Sequence, residues 1–237
     1  MRSRLREWDS AFFGRRIAEV EGGTLDDAAA ADILAWCERE RVDCLYFLAD
    51  PEPATIDTAE RHGFRLVDVR LTLRRSIRDL APPTASPWRV RPARGDDLAA
   101  LEALAAVSHG DSRFYADPRF GSDAASRLYR VWIRNSIEGW ADDTLVLTRA
   151  DAETPLGYIT GHRRGDAGQI GLLAVAAEAR GAGAASALVT SLCAAYRDAG
   201  LDAMTVVTQG RNLDAQRLYQ RRGFTSAALG LWYHRWW

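Results

Sequence analysis

Gly171-Leu-Leu-Ala-Val-Ala-Ala-Glu-Ala-Arg-Gly-Ala-Gly-Ala-Ala-Ser186 decides how the rest of the chain is read. The run from Ile170 to Val175 is apolar and has the length of a buried strand. A short polar break leads into Arg180-Gly181-Ala182-Gly183-Ala184-Ala185, and Ser186 to Ala199 carries Ala, Leu and Val at helical spacing. A strand therefore feeds a small-residue turn that opens a helix. Such a turn leaves a row of backbone N–H groups without partners at the positive end of the helix dipole. Gly and Ala let a phosphate reach the main chain, and Arg180 adds a fixed positive charge. The same residues also suit a bland helix start packed closely on a strand.

The next segments bear on that choice. Ala203-Met-Thr-Val-Val-Thr208 is rich in β-branched residues and reads as a strand. Asn212-Leu-Asp-Ala-Gln-Arg-Leu-Tyr-Gln-Arg-Arg-Gly-Phe224 follows, with Asn212 as N-cap and Gly223 as stop. Ala215, Leu218 and Tyr219 share one helical face. Together these stretches resemble the GCN5-related N-acetyltransferase (GNAT) family. In that family Arg-Gly-X-Gly-X-Ala is the pyrophosphate loop for acetyl-CoA, and Asn-x-x-Ala-x-x-Leu-Tyr-x-x-x-Gly-Phe is the second cofactor motif. Both occur here in order, and the likeness runs from Arg89 to the end of the chain.

An internal repeat extends the reading to the first half. Strand, helix, Gly-Phe and strand follow one another from Cys44 to Leu73 as they do from Ala203 to Trp232. Gly63-Phe64 answers Gly223-Phe224, but Ala59 falls where Tyr219 stands and Glu52 where Asn212 stands. Glu21-Gly-Gly-Thr-Leu-Asp-Asp27 occupies the place of Arg180 to Ser186, and its carboxylates would repel an anion. The expected fold class is α/β: a tandem GNAT fold, with a truncated, degenerate N-terminal half and a complete C-terminal mixed-sheet domain. The divisions are residues 1–79, a linker at 80–87 set by Leu80-Ala-Pro-Pro-Thr-Ala-Ser-Pro87, and a catalytic domain at 88–237. The first half would pack on the second and wall the acceptor site.

Along the chain, Trp8, Phe12, Phe13 and Ile17 read as core, with Asp9-Ser10 as a turn or cap. Helical spacing marks Asp26 to Arg41 and Ala54 to His62, and Cys44 to Leu48 reads as a buried strand. Val67 to Arg75 alternates apolar and polar, the signature of a half-exposed strand. Ser108 to Phe120 reads as a loop, and Leu128 to Gly139 as an amphipathic helix.

Four stretches narrow the resemblance. They are Trp8-Asp-Ser-Ala-Phe-Phe-Gly14, the Asp111-Ser-Arg-Phe114 loop with Tyr129-Arg-Val-Trp-Ile-Arg-Asn135, Ile170-Gly-Leu-Leu-Ala174, and Val206-Val-Thr-Gln-Gly-Arg-Asn212. They are similar to the branch of the family that acetylates dTDP-linked 4-amino-4,6-dideoxyhexoses. The resemblance implies direct attack of a sugar amine on acetyl-CoA as co-substrate. Leu173, Ala174 and Val175 would hold the pantetheine and polarise the carbonyl. Arg180, Gly181, Ala182, Gly183, Ala184, Ala185 and Ser186 would take the pyrophosphate. Tyr219 would protonate the departing thiolate, and Asn212 would contact the cofactor or a water; as plain structure they are a core tyrosine and an N-cap. For the acceptor, Arg113, Arg119 and Arg134 are candidates for phosphate, and Phe114 or Tyr115 for stacking on thymine.

No carboxylate flanks Ile170, since Gln169 and Gly171 stand there. Glu138, Asp111, His109 and His162 remain as candidate bases, and a water chain is the expected route for the proton. Acetylation of another small amine, an antibiotic or a protein N-terminus stays open, as does a non-catalytic acyl-CoA-binding module.

Composition bounds the rest. The 237 residues suffice for one large or two small domains, and 47% hydrophobic content supports a packed core. A net charge of -1 gives no reason to expect nucleic acid or an anionic membrane as partner. Cys37, Cys44 and Cys193 lack CxxC spacing and read as reduced thiols, so cytoplasm is the expected compartment. The four histidines, His62, His109, His162 and His234, show no metal-ligand spacing, so no metal is expected. Trp236-Trp237 offers either a homodimer contact or strand packing inside one chain.

Overall fold

Turn chemistry sets where the elements begin and stop. The computed structural model describes residues 3–80 and 86–237, so residues 81–85 of the proline-rich linker lie outside them. The first half runs β1 (Ser3–Leu5), α1 (Glu7–Phe13), β2 (Ile17–Val20), α2 (Asp27–Arg39), β3 (Cys44–Ala49), α3 (Pro53–Arg61) and β4 (Arg65–Ser76). Gly14 in the left-handed region ends α1, and the Asp26 carboxylate caps α2 by accepting the Ala29 N–H at 2.7 Å. Asp9-Ser10 therefore lies inside a helix, because Gly14 lets the chain turn only after Phe13.

The second half runs β5 (Trp88–Pro92), α4 (Leu98–Ser108), α5 (Arg113–Ala116), α6 (Ser122–Asn135), β6 (Asp143–Arg149), β7 (Gly157–Arg164), β8 (Ala167–Val175), α7 (Ala184–Asp198), β9 (Ala203–Gln209), α8 (Leu213–Arg221) and β10 (Thr225–Trp236). The expected loop at 108–120 contains the single turn α5, and α6 starts earlier than its apolar pattern, at Ser122. A π-helical turn over Ser136–Trp140 finishes α6, where Gly139 has φ 107. Arg91 forks onto Asp97 at 2.7 and 2.9 Å, and the same carboxylate accepts the Arg94 N–H at the entry to α4.

All ten strands form one sheet in the order β1-β2-β3-β10-β4-β9-β8-β7-β6-β5. The two halves exchange their last strands. β4 lies between β10 and β9, and β10 lies between β3 and β4. Leu71 and Leu73 pack with α7 and α8, while the even-numbered residues of β4 face the opposite side, where α1, α4, α5 and α6 lie. The half-exposed reading of 67–75 holds from Arg70 onward, where Arg70 and Thr72 are half-buried and Arg74 is exposed, but not at Asp68, which is only 4% exposed. Trp8 departs from the core assignment in the other direction, at 44% exposed on the open side of α1. Among the described residues, no helix is long and apolar enough to cross a membrane.

Candidate active site

β8 and β9 run parallel but pair only from Ala167↔Ala203 to Ile170↔Val206. Beyond that point they part. Gly171 and Leu172 together oppose the single Thr160 of β7, a bulge that bends β8. A Cβ on Gly171 would stand 2.6 Å from Thr160 Oγ1 and 2.8 Å from His162 Nε2, so those side chains would have to shift to admit one. Leu172 N–H donates to Thr160 Oγ1 and Ala176 N–H to the Leu156 carbonyl, both on the β7 side. Strand alternation then turns the amides of Leu173 and Val175 into the gap.

The gap opens into a cleft of about 490 Å³. Leu173, Ala174 and Val175 form one wall and Val207, Thr208 and Gln209 the other. Arg180 and Ala185 stand at one end, Asn212 and Tyr219 reach in from α8, and His109, Tyr129 and Trp132 close the far side. Seven of the residues expected to hold the cofactor thus meet in one place.

The loop behind β8 has the geometry an anion needs. Gly181 and Gly183 sit at φ 73 and 81, conformations that L side chains resist. No side chain caps α7, and the first backbone bond at this end runs from Ala187 N–H to the Gly183 carbonyl. The equivalent end of α2 is filled by Asp26. Arg180 Nε donates to the Val175 carbonyl at 3.0 Å, which folds the guanidinium back along the cleft rim. Ala182, Gly183 and Ser186 face a second hollow under Trp88, whose indole N–H holds the Ala182 carbonyl at 2.8 Å, and Ala184 is buried in the core.

Tyr219 is 5% exposed and packs on Phe224. Burial, with Cys193 nearby, pushes its phenol above the ordinary tyrosine range, so it is protonated at neutral pH. The Asn212 side-chain oxygen accepts the Ala215 N–H at 3.0 Å, which makes it the N-cap and leaves its amide group for other partners. The repeat is visible in the caps. Phe224 N–H bonds to the Tyr219 carbonyl and Phe64 N–H to the Ala59 carbonyl, both at 3.0 Å, so Ala59 occupies the tyrosine position in the first half.

On the far side, His109 Nε2 lies 2.9 Å from Tyr158 Oη and its ring stacks on Tyr129 at 4.2 Å. Burial lowers its pKa to about 4, so it is neutral. Tyr129 and Trp132 were hidden in the sequence within an ordinary amphipathic pattern. Trp132 also lines a second cavity of about 690 Å³, between the two halves, with Trp8, Tyr46, Arg113, Trp140 and Trp232. Its buried indole N–H has no acceptor among the described residues.

Arg113 is caged by the rings of Tyr46, Phe114 and Trp232, each 4.2–4.3 Å from its guanidinium carbon. No carboxylate lies within 4 Å of it among the described residues. Phe114 is 3% exposed in an aromatic cluster, and Tyr115 packs beside it with its hydroxyl toward the Ala106 carbonyl. The Phe114 ring is not free to take a base, because Phe13, Phe120 and Trp132 enclose it; Tyr115 is half-buried. Arg134 pairs with Glu102 at 2.7 Å, and Arg119 lies over Trp236. Trp236 itself donates to Asp117 at 2.8 Å, so of the two terminal tryptophans it is Trp237 that stays exposed.

A parted pair of parallel strands, a bare helix end behind one of them and a buried tyrosine over the gap define an acyl-CoA-type N-acyltransferase fold. Residues 104–224 match the acetyltransferase (GNAT) family, and the chain belongs to that family. Over 168 residues it is 31% identical to the spore coat polysaccharide biosynthesis protein SpsD of Bacillus subtilis (strain 168), covering 71% of this chain and 56% of that protein. The chain thus spans little more than half the length of that relative. Among solved structures, a GCN5-related N-acetyltransferase from Sphaerobacter thermophilus superposes with a TM-score of 0.72 at 16% identity, over 99% of this chain and 76% of that one. A tandem GNAT protein from the clavulanic acid biosynthesis pathway superposes with a TM-score of 0.61 at 10% identity, over 93% and 75%. These two likenesses concern the fold.

Proposed function

We propose that the chain moves an acetyl group from acetyl-CoA to the 4-amino group of a dTDP-linked 4-amino-4,6-dideoxyhexose. The observation that carries this reading is the single cleft in which the parted strand, Arg180 and Tyr219 meet. Residues 88–237 act as the catalytic domain; residues 1–79, joined through 80–87, are a degenerate acetyltransferase-like half that walls the acceptor site.

The residues fit an acyl-CoA thioester, which supplies the activated acetyl group. Leu173 to Val175 hold its pantetheine arm, with the Leu173 N–H placed to stabilise the carbonyl oxygen as it gains charge. The N–H groups from Gly181 to Ser186 take the pyrophosphate, and Arg180 stands beside them. Tyr219 gives its proton to the sulfur that leaves, a role consistent with a phenol kept protonated by burial. Asn212, its oxygen engaged as N-cap, offers its amide N–H to the cofactor or to a water.

The inter-half cavity supports a sugar acceptor. Its aromatic walls suit a pyranose ring, and Arg113, free of carboxylates, suits a diphosphate. Trp140 and Trp8, 59% and 44% exposed at its edge, replace the buried Phe114 as surfaces for the base. The polysaccharide role in the name of the Bacillus subtilis relative agrees with a sugar acceptor. Asp9, Glu19 and Glu138 on the same wall favour a basic peptide, the competing reading, although Arg6 already pairs with Asp9 and Glu19.

The test is incubation with acetyl-CoA and a panel of amines: dTDP-4-amino-4,6-dideoxygalactose, its glucose epimer, a UDP-amino sugar and a basic peptide. Acetylated dTDP-sugar, detected by mass, supports the reading and names the epimer. Acetylation of the peptide alone overturns the sugar assignment.

A further inference from the structure

The cofactor strand β8 contains no carboxylate. The proton of the attacking amine needs another destination. The strand exchange brings one from the first half.

β4 lies between the strand that forms one wall of the cleft and the strand that lines the inter-half cavity. Its even-numbered residues face α5 and α6, the side on which the acceptor cavity opens. Arg70 is in register with Gln209 of the cleft wall, and Asp68 with Trp232 of the cavity wall. Cross-strand partners share a face of the sheet. Asp68 lines neither cavity itself, but its neighbours do: Asp111 and Tyr129 line the cleft, and Arg113 and Trp232 line the inter-half cavity. α5 packs directly on its strand.

The surroundings of Asp68 are unusual for a buried aspartate. It is 4% exposed, yet its one recorded hydrogen bond is from the Val69 N–H at 2.9 Å, to Oδ1. The nearest cation, Arg211 on the β9–α8 turn, stands 3.7 Å from the same oxygen, outside hydrogen-bond range. The other charged or titratable groups bearing on it are Arg113 of α5, Asp111 before α5, Tyr129 of α6 and Arg70 on its own strand. A structural carboxylate would be closed off by partners; here Oδ2 has no hydrogen-bond partner among the described residues.

We infer that Asp68, carried next to the site by the exchanged strand of the first half, accepts the proton of the attacking amine through one bridging water. The inference rests on the acetyl-transfer reading above. As the amine nitrogen bonds to the carbonyl carbon and the carbon–sulfur bond breaks, the N–H proton passes to the Asp68 carboxylate while Tyr219 supplies the proton to sulfur. Burial raises the Asp68 pKa to about 6, which leaves the group ionised at pH 7 and more basic than a surface carboxylate. His109, with Nε2 engaged by Tyr158 and a pKa lowered to about 4, is the weaker base.

The experiment compares wild type, Asp68→Asn and Asp68→Ala by CoA-thiol release from pH 5 to 9, using the best amine of the panel. Acetyl-CoA affinity is measured alongside by calorimetry. Asp68→Asn is expected to lower kcat roughly 10²-fold and to leave acetyl-CoA affinity within about twofold. Added formate is expected to restore part of the Asp68→Ala rate, which a structural defect would not allow. Unchanged kcat, or no rescue of Asp68→Ala by formate, overturns the role of Asp68 alone. Absence of turnover by wild type with every amine overturns the acetyl-transfer reading and the inference with it.

Discussion

Arg113 Nη1 lies 2.8 Å from His234 Nε2, and His234 Nδ1 lies 2.7 Å from Asp117. A guanidinium only donates and an ionised carboxylate only accepts, so His234 is neutral with its proton on Nδ1. Burial lowers the His234 pKa to about 4; Asp117 works against its own burial through hydrogen bonds from His234 and Trp236 and sits at about 2. This relay aims Arg113 without neutralising it. His234→Phe removes the acceptor, and hydrogen bonds to charged groups are worth about 1.5–3 kcal/mol. The acceptor KM is expected to rise roughly 10-fold or more, with acetyl-CoA affinity unchanged. An unaltered acceptor KM would contradict the assignment.

The buried His234 and the half-buried His109 also set an acid limit on stability. His109 and His234 have folded pKa values of about 4 against an unfolded value of 6.5. The unfolded chain therefore takes up protons that the folded chain refuses, and stability falls as pH drops from about 6.5 to 4. Asp68 acts oppositely, because its raised pKa lets the folded chain bind a proton first, but it is one group against two. Urea unfolding at pH 7, 5.5 and 4.5 should show declining stability, with a shallower decline in His234→Gln. A flat profile would contradict the burial assigned to these rings.

The bare end of α7 is expected to depend on backbone shape rather than side-chain charge. Gly183 has φ 81, which costs an L residue roughly 1–2 kcal/mol. Gly183→Val should reduce acetyl-CoA affinity at least about 10-fold through strain and a blocked approach, while the far-ultraviolet circular dichroism is retained. Retained affinity would place the pyrophosphate elsewhere.

Arg91 and Asp97 form a pair that is almost fully buried, with side chains 9% and 6% exposed. Breaking such a pair leaves an uncompensated charge and costs about 3–5 kcal/mol. Arg91→Met should be destabilised by that order in denaturant unfolding. The double variant with Asp97→Leu should recover much of the loss. Equal stability of wild type and Arg91→Met would show that the pair is solvated.

The β8–α7 and β9–α8–β10 segments were legible because their signals are local: Asn212 caps, Gly223 stops, and small residues mark the turn. The Gly63-Phe64 stop was legible for the same reason, and it ends α3 with the Phe64 N–H to Ala59 bond that matches Phe224 N–H to Tyr219. Strand order was not, since alternation in Val67 to Arg75 looks the same whether the polar face meets water or another helix layer. That ambiguity hid the burial of Asp68. Phe114 misled in a related way. A loop composition suggested a free ring, but the single turn α5 directs it into the core. Trp8 was assigned to the core on hydrophobicity alone, although a rim of an aromatic cavity needs the same residue.

The central claim is that Tyr219, buried over the gap between β8 and β9, serves acetyl transfer in this cleft. The most direct measurement is the rate of CoA-thiol release by wild type and Tyr219→Phe, with acetyl-CoA and a dTDP-4-amino-4,6-dideoxyhexose both saturating. A positioned acid is worth about 10²–10⁴ in rate, so Tyr219→Phe should lose that factor in kcat while binding acetyl-CoA as wild type does. Equal rates for the two proteins would contradict the account.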